Sequence, residues 1–459
     1  MRRSWILVCL AVFCFAGGAG AVELVDTGPA GQGQPFDNRQ PQLGINYIVR
    51  TGGLYQEIGQ ISAFAGSFAP SGWAFANGQQ LPINQNQALF SKLGITYGGD
   101  GKSWFALPDL RGRTATHAGS QSLVGQASGA DQFALSHKQM PSHQHTIPLD
   151  PFQTSPEGLG MAMDNHMPSL AVNYQVVVNG PSPDPNQGLN DLPFLGEVRM
   201  YASPWQHLHF NNTLPTDGQR LSIDHNIPLH AILFDNFGGD DHIFALPDLR
   251  DTTVMGVGQG QGLTARNLGD RVGIGHLSLQ ESHLPEHVHE LAEGGTFTGP
   301  AGEGDPFDNM QPTSTLRWLI NVRGLFPTMG GAGSSDYAFL GQMTMFAGED
   351  IPFGWLPAEG QILPINQNQA LYSVMGTAYG GDGRVTFALP DLRGRVPVGA
   401  GGEWNLLGRS LGLEQVTLTG ENLPSHTHGY VVPEPATLGL LAISAVGLVR
   451  RRRLRSTGR

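Results

Sequence analysis

This chain has little with which to cross-link itself. Its only two cysteines, Cys9 and Cys14, lie in an apolar run from Trp5 to Phe15 that follows Arg2 and Arg3 and precedes Ala19-Gly20-Ala21. A basic start, a short apolar stretch and a small-residue cleavage site describe a secretory signal peptide over residues 1–21. The exported chain then begins near Val22 without a cysteine, and disulfides cannot hold it. Charge is also scarce, at 14% of residues against roughly 25% in ordinary soluble domains. Catalytic signatures are missing: there is no His-Glu-x-x-His, no serine at a strand-to-helix nucleophile elbow and no Gly-x-Gly-x-x-Gly opening a helix after a strand. Asp100-Gly101 and Asp382-Gly383 lack the alternating acids of a calcium loop.

Glycine and proline are abundant instead. The 64 Gly and 32 Pro make up about a fifth of the chain, below the ~25–30% of disordered segments. That balance predicts a mainly β, α+β chain with short strands, short helices and long ordered loops. At the C-terminus, Val432-Pro433-Glu434-Pro435 leads into an apolar stretch, Ala436–Val449, and then Arg450, Arg451, Arg452, Arg453 and Arg455. About 14 apolar residues is short for an ordinary span, but basic residues marking the cytoplasmic side suit a transient stop. The segment 432–459 resembles the PEP-CTERM sorting signal of Gram-negative, exopolysaccharide-producing bacteria. The resemblance implies an exosortase-type partner at the inner membrane and delivery to the cell surface or matrix; a permanent tail anchor is the alternative. Losing both ends removes eight of the 26 basic residues against 38 acids, so the net charge moves from -12 to about -20. Nucleic acid, whose phosphates need a basic patch, is excluded as a partner.

Between the two ends the chain repeats itself. LPINQNQALFSKLGITYGGDG at 81–101 returns as LPINQNQALYSVMGTAYGGDG at 363–383, and FALPDLRGR at 105–113 returns at 387–395. A weaker copy runs from Gly196-Glu197 to Phe244-Ala245-Leu246-Pro247-Asp248-Leu249-Arg250, with Asp251-Thr252 in place of the final Gly-Arg. In each copy Gly59–Phe64 or Gly341–Phe346 reads as a strand, and Trp73–Ala76 or Trp355–Pro357 as a second. A short helix is predicted over Gln87–Leu93, capped by Asn84 and ended by Gly94. The Asp109/Arg111 pair reads as a structural ion pair within a rigid turn.

Gly-Trp through Leu-Pro-Ile (Gly72–Ile83), YGGDG, FALPDLRGR and Leu-Pro-x-His-x-His, with Met140 for the leucine in copy one, together resemble the phage tail collar domain and the related microcystin-dependent protein family. The likeness covers most of 33–429, loosely in copy two, whose altered arginine loop puts its packing in question. In tail-fibre members, His-x-His pairs from three chains bind a metal on the trimer axis. The resemblance therefore implies six metal ligands here: His143, His145, His287, His289, His426 and His428. Isolated pairs of this kind are ordinarily surface or packing histidines; threefold recurrence is what raises these above that reading. Side chains at i and i+2 of an extended segment share a face, so each pair can act as a clamp. Six imidazoles suit one octahedral structural ion such as Fe or Ni, whereas Zn is usually tetrahedral.

Family modules end in a tail resembling Pro-Phe-x-Asn-Met-Gln-Pro before an apolar strand. This stands at Pro306–Pro312 after copy two, in worn form at Asp164–Pro168 after copy one, and not at all after copy three. Yet Pro35–Pro41 carries it ahead of copy one. The organisation read from this is a tail segment 33–54, modules at 57–180, 195–328 and 338–429, and the sorting segment. Either residues 33–54 complete module three and close an intrachain pseudo-threefold ring, which is our inference, or three domains follow one another in an open string. The ring is a monomeric pseudo-trimer; a homo-oligomer is the other possibility. The expected function is a non-catalytic surface or matrix protein that binds or adheres to glycan or exopolysaccharide, with Trp73, Trp205, Trp355 and Trp404 as candidate stacking faces, the first and third more readily core. A matrix polysaccharide hydrolase with paired carboxylates is the rival.

Overall fold

In the computed structural model, the described residues are 23–54, 57–148, 153–184, 193–204, 212–291, 296–328, 338–401 and 406–432. The predicted signal peptide, all of the sorting segment beyond Val432, Trp205 and Trp404 lie outside them. The described residues are mainly β, with three seven-residue helices at Gln87–Leu93, Ile227–Leu233 and Gln369–Met375. In the first, Asn86 and not Asn84 occupies the N-cap, because Ile83–Gln85 already forms a 3-10 turn; the Asn86 amide donates to the Pro82 carbonyl at 3.0 Å.

Three nine-residue strands frame the molecule: Gln42–Arg50, Ser169–Val177 and Thr313–Asn321. Nearly every position in them is buried, polar ones such as Asn46, Asn173 and Asn321 included. Each changes partner halfway along. The first half runs parallel to a four-residue strand of a head: Ser169–Val172 against Thr114–His117, Thr313–Leu316 against Thr253–Gly256, and Gln42–Ile45 against Val396–Gly399. The second half runs antiparallel to an axial strand: Tyr47 opposite Ala63, Tyr174 opposite Met200, Trp318 opposite Met345.

Copy three is therefore paired with a strand from the N-terminus, more than 350 positions away in sequence. The register is the same in all three cases, and an aromatic side chain secures it. The Tyr47 hydroxyl donates to Pro397 O at 3.1 Å, the Tyr174 hydroxyl to Ala115 O at 2.9 Å, and the Trp318 indole to Val254 O at 3.4 Å. The axial strands Gln60–Phe64, Glu197–Tyr201 and Gln342–Phe346 each pair with both of the others. The pairing thus closes on itself as a pseudo-threefold ring, leaving no open edge at the seam.

Tails also cross to the neighbouring module. Phe36–Asp37 pairs with Gln132–Phe133 of copy one, Met163–Asp164 with His276–Leu277 of copy two, and Phe307–Asp308 with Gln415–Val416 of copy three. Their apolar side chains meet on the axis, where Phe36, Leu135, Met163, Leu277, Leu279, Phe307, Val416 and Leu418 form one buried cluster. The turns that receive them need glycine: Gly129, Gly273 and Gly412 sit at φ of 77° to 79°, and a Cβ on each would lie 2.1 Å from a tail carbonyl. Copy two's packing holds despite its altered loop. Asp251 adopts φ 56° where the other copies have glycine, and its carboxylate accepts the Ser120 N–H at 2.9 Å and the Ser122 hydroxyl at 2.8 Å. The Asp109/Arg111 pair forms as expected, with Nε donating to Oδ1 at 2.8 Å, and recurs as Asp248/Arg250 and Asp391/Arg393.

Candidate metal centre

Each His-x-His pair lies on an extended segment held by a second one. In copies one and two the partner follows in the same hairpin, with His143 N donating to Glu157 O and His287 N to Ala301 O, both at 3.0 Å. In copy three the partner is again the N-terminus, His426 N donating to Ala30 O at 3.0 Å. A threonine in each partner segment accepts the N–H of the second histidine: Thr154 for His145, Thr298 for His289 and Thr27 for His428, at 2.9, 3.0 and 2.9 Å.

The three pairs converge at one point on the axis. The Nδ1 atoms all meet backbone carbonyls: those of Pro141, Pro285 and Pro424 for the first histidines, at 3.0, 3.0 and 2.9 Å. Those of Gly299, Gly28 and Ser155 serve His145, His289 and His428, each at 2.8 Å. A carbonyl only accepts, so each Nδ1 carries the proton and each Nε2 presents a lone pair inward. His143 Nε2 lies 3.2 Å from Nε2 of His287, 3.2 Å from that of His426 and 3.3 Å from that of His428. Nε2 of His145 and His289 is buried with no hydrogen-bond partner.

The arrangement is octahedral. Every ring lies 4.8–5.5 Å, centroid to centroid, from four of the others. The fifth faces it across the centre, giving the opposed pairs His143/His289, His145/His426 and His287/His428. Four faces of this octahedron bring three ligand nitrogens within 4.8 Å of one another. For edges of 3.2 Å, a regular octahedron has its centre about 2.3 Å from each nitrogen, slightly beyond the ~2.0–2.1 Å of zinc–imidazole bonds.

On balance the surroundings disfavour protonation of these rings. Five of the six histidines are buried, His287 being intermediate. Three residues before the first histidine of each pair, Met140, Leu284 and Leu423 form one buried apolar cluster, and two residues after the second, Ile147, Leu291 and Tyr430 form another. Burial is the largest cause pushing all six below the ordinary histidine value, His143 to about 3 and His145, His289 and His426 to about 4. Neutral imidazoles with converging lone pairs are the state a metal needs, and the residues present fit one.

Sequence reasoning found the six histidines but passed over what positions them. The carbonyls of Gly28, Ser155 and Gly299 and the hydroxyls of Thr27, Thr154 and Thr298 come from a Thr-x-Pro-x-Gly motif at 27–31, 154–158 and 298–302. Two of its copies are the identical TGPAG. The first precedes the tail segment as read from sequence, where it has no histidine beside it to draw notice. Trp73 and Trp355 are in the core, packed edge-on against Phe339 and Phe194, and are not stacking faces for a ligand. The letters of a nucleophile elbow occur once, at Gly408-Arg409-Ser410-Leu411-Gly412. Ser410 there lies in a two-residue strand opposite Leu43, with no helix following.

No curated protein and no solved structure matches the chain significantly. Family models do match. The Phage Tail Collar Domain matches residues 59–115, 196–254 and 341–397, and the PEP-CTERM protein-sorting motif matches 431–453. The chain thus carries three phage tail collar domains arranged around one axis and, at its C-terminal end, the motif of an exported protein sorted to the cell surface.

Proposed function

We propose that this protein is a non-catalytic surface or matrix component of a Gram-negative bacterium, a single-chain collar ring pinned by one structural transition-metal ion and displaying loops that bind polysaccharide. The observation that carries the metal is the octahedral convergence of six Nε2 atoms. His143, His145, His287, His289, His426 and His428 would hold the ion, which supplies positive charge where six lone pairs meet. With all six positions taken by protein, such an ion has no open position for substrate or water, and its role is that of a staple in a chain without disulfides. Six nitrogen ligands favour Fe or Ni over Zn.

The polysaccharide reading rests on the sorting motif and on the likeness of the three modules to those of phage tail fibres. Elemental analysis of protein never exposed to chelator or a nickel column tests the staple: about one transition metal per chain is expected, and fewer than about 0.3 rules it out. A glycan array read together with reducing-end release tests the rest. Binding without release is expected; release would favour the hydrolase.

A further inference from the structure

Both ends of the described chain leave the ring at the same place. Glu23–Asp26 runs antiparallel to Gly429–Val432, with Glu23 opposite Val432 and Asp26 opposite Gly429. Val25 and Val432 pack onto the buried layer of Ile147, Leu291 and Tyr430, each of which stands two residues beyond the second histidine of a pair. The match to the sorting motif starts at Val431, inside this ribbon.

From the ribbon the N-terminal segment passes every layer of the molecule in order. Ala30 lies beside His426, Gln34 N donates to Glu421 O, Phe36 enters the axial cluster, Gln42–Ile45 pairs with the copy-three head strand, and Asn46–Val49 pairs with an axial strand. The strand Gln42–Arg50 alone covers about 30 Å at ~3.3 Å per residue. The histidine pole and the pole carrying the 51–59 loop are therefore opposite ends of an elongated body, and the sorting motif emerges at the histidine pole.

We propose that the sorting enzyme acts on the closed ring, that strand Gly429–Val432 is retained in the product because Glu23–Asp26 shields it, and that the histidine pole consequently faces the membrane while the 51–59 pole projects outward. A processing enzyme takes its substrate as an extended segment whose backbone groups it pairs itself. Those of 429–432 are already paired, and Gly429 and Tyr430 are buried. The bond that breaks is a peptide bond C-terminal to Val432. Its acyl group passes to water or to an amine or hydroxyl acceptor at the membrane, and the leaving amine takes the proton that the acceptor loses.

The test uses the full chain expressed with its sorting enzyme. Mass spectrometry of the surface product is expected to place the C-terminus at or after Val432 in the intact protein, and before Val432, within 429–431, when residues 23–26 are deleted. A wild-type product ending before Val432, or an unchanged terminus in the deletion, overturns the shield. Because the exported chain has no cysteine, single Leu54→Cys and Leu24→Cys variants, both at exposed positions, report orientation on unprocessed, membrane-held protein through a bulky maleimide. Labelling at 54 is expected at least tenfold faster than at 24; equal rates, or the reverse order, overturn the orientation.

Discussion

The side chains that close this ring do so through directed contacts whose loss is measurable. The Tyr47 hydroxyl is the only polar group of a buried ring and donates to a carbonyl of copy three. Tyr47→Phe should destabilise the protein by about 1 kcal/mol, the net value of such a bond, as read from denaturant titration, with no change in metal content. Arg199 is a different case. The threefold-related positions hold Ser62 and Thr344, but Arg199 is buried at 3.3 Å from Glu57 and 3.4 Å from Glu197, with Arg50 also on Glu57. Arg199→Ala leaves two buried carboxylates with less compensation, and a loss of roughly 3–5 kcal/mol is expected in the same titration. At the proposed metal centre, His145→Ala and His289→Ala remove inward nitrogens that have no hydrogen-bond partner among the described residues. Each should lower bound metal well below the wild-type stoichiometry in elemental analysis.

The paired segments matter because they hold imidazoles at defined angles. The Thr27–Ala30 stretch supplies the hydroxyl that receives His428 N–H and the carbonyl that receives His289 Nδ1–H. Thr27→Val keeps the shape and removes the acceptor, and metal affinity should fall about 10–100-fold, the usual effect of losing a group that orients a ligand. Competition with a chromogenic chelator measures this. The six histidines also couple the element to pH. Their folded values lie below the ordinary ~6.5, with burial as the leading cause. The unfolded chain therefore binds protons first as pH falls, and stability is lost from about 6.5 down toward the folded values near 4 and 3. The melting temperature should drop steadily from pH 7 to 4, and a flat profile from pH 8 to 5 would contradict the burial of these rings as neutral groups.

As a whole, the molecule does not divide into three independent beads. Each tail reaches into one neighbouring module and then pairs along its own, as Phe36–Asp37 does with Gln132–Phe133 of copy one before Gln42–Ile45 pairs with copy three. The Gln40 side chain reaches further, donating to the Thr313 hydroxyl at 3.1 Å and accepting Gln311 N–H at 3.0 Å. Calorimetry should accordingly show one cooperative transition, and deleting residues 22–50 should abolish it for all modules instead of sparing copies one and two. Three separable transitions would show an open string. Among the described residues no helix is long and apolar enough to cross a membrane.

Much of this was legible in one dimension because repetition makes a residue's role visible three times. LPINQNQAL, FALPDLRGR and the histidine pairs announced the modules, and the misplaced Pro35–Pro41 tail suggested that the chain is cut across a module. Asn86 caps the first helix in place of Asn84 because the 3-10 turn Ile83–Gln85, which has no signature in the letters, precedes it. The Thr-x-Pro-x-Gly carbonyls that accept Nδ1–H are not legible in the sequence because each stands more than 150 positions from the histidine it orients. What repetition cannot convey is distance: that three clamps meet with nitrogens 3.2 Å apart, or that the first strand and the last described strand form one ribbon. Those follow from long-range strand pairing and axial packing, which depend on where segments hundreds of residues apart are brought, and no local pattern encodes that.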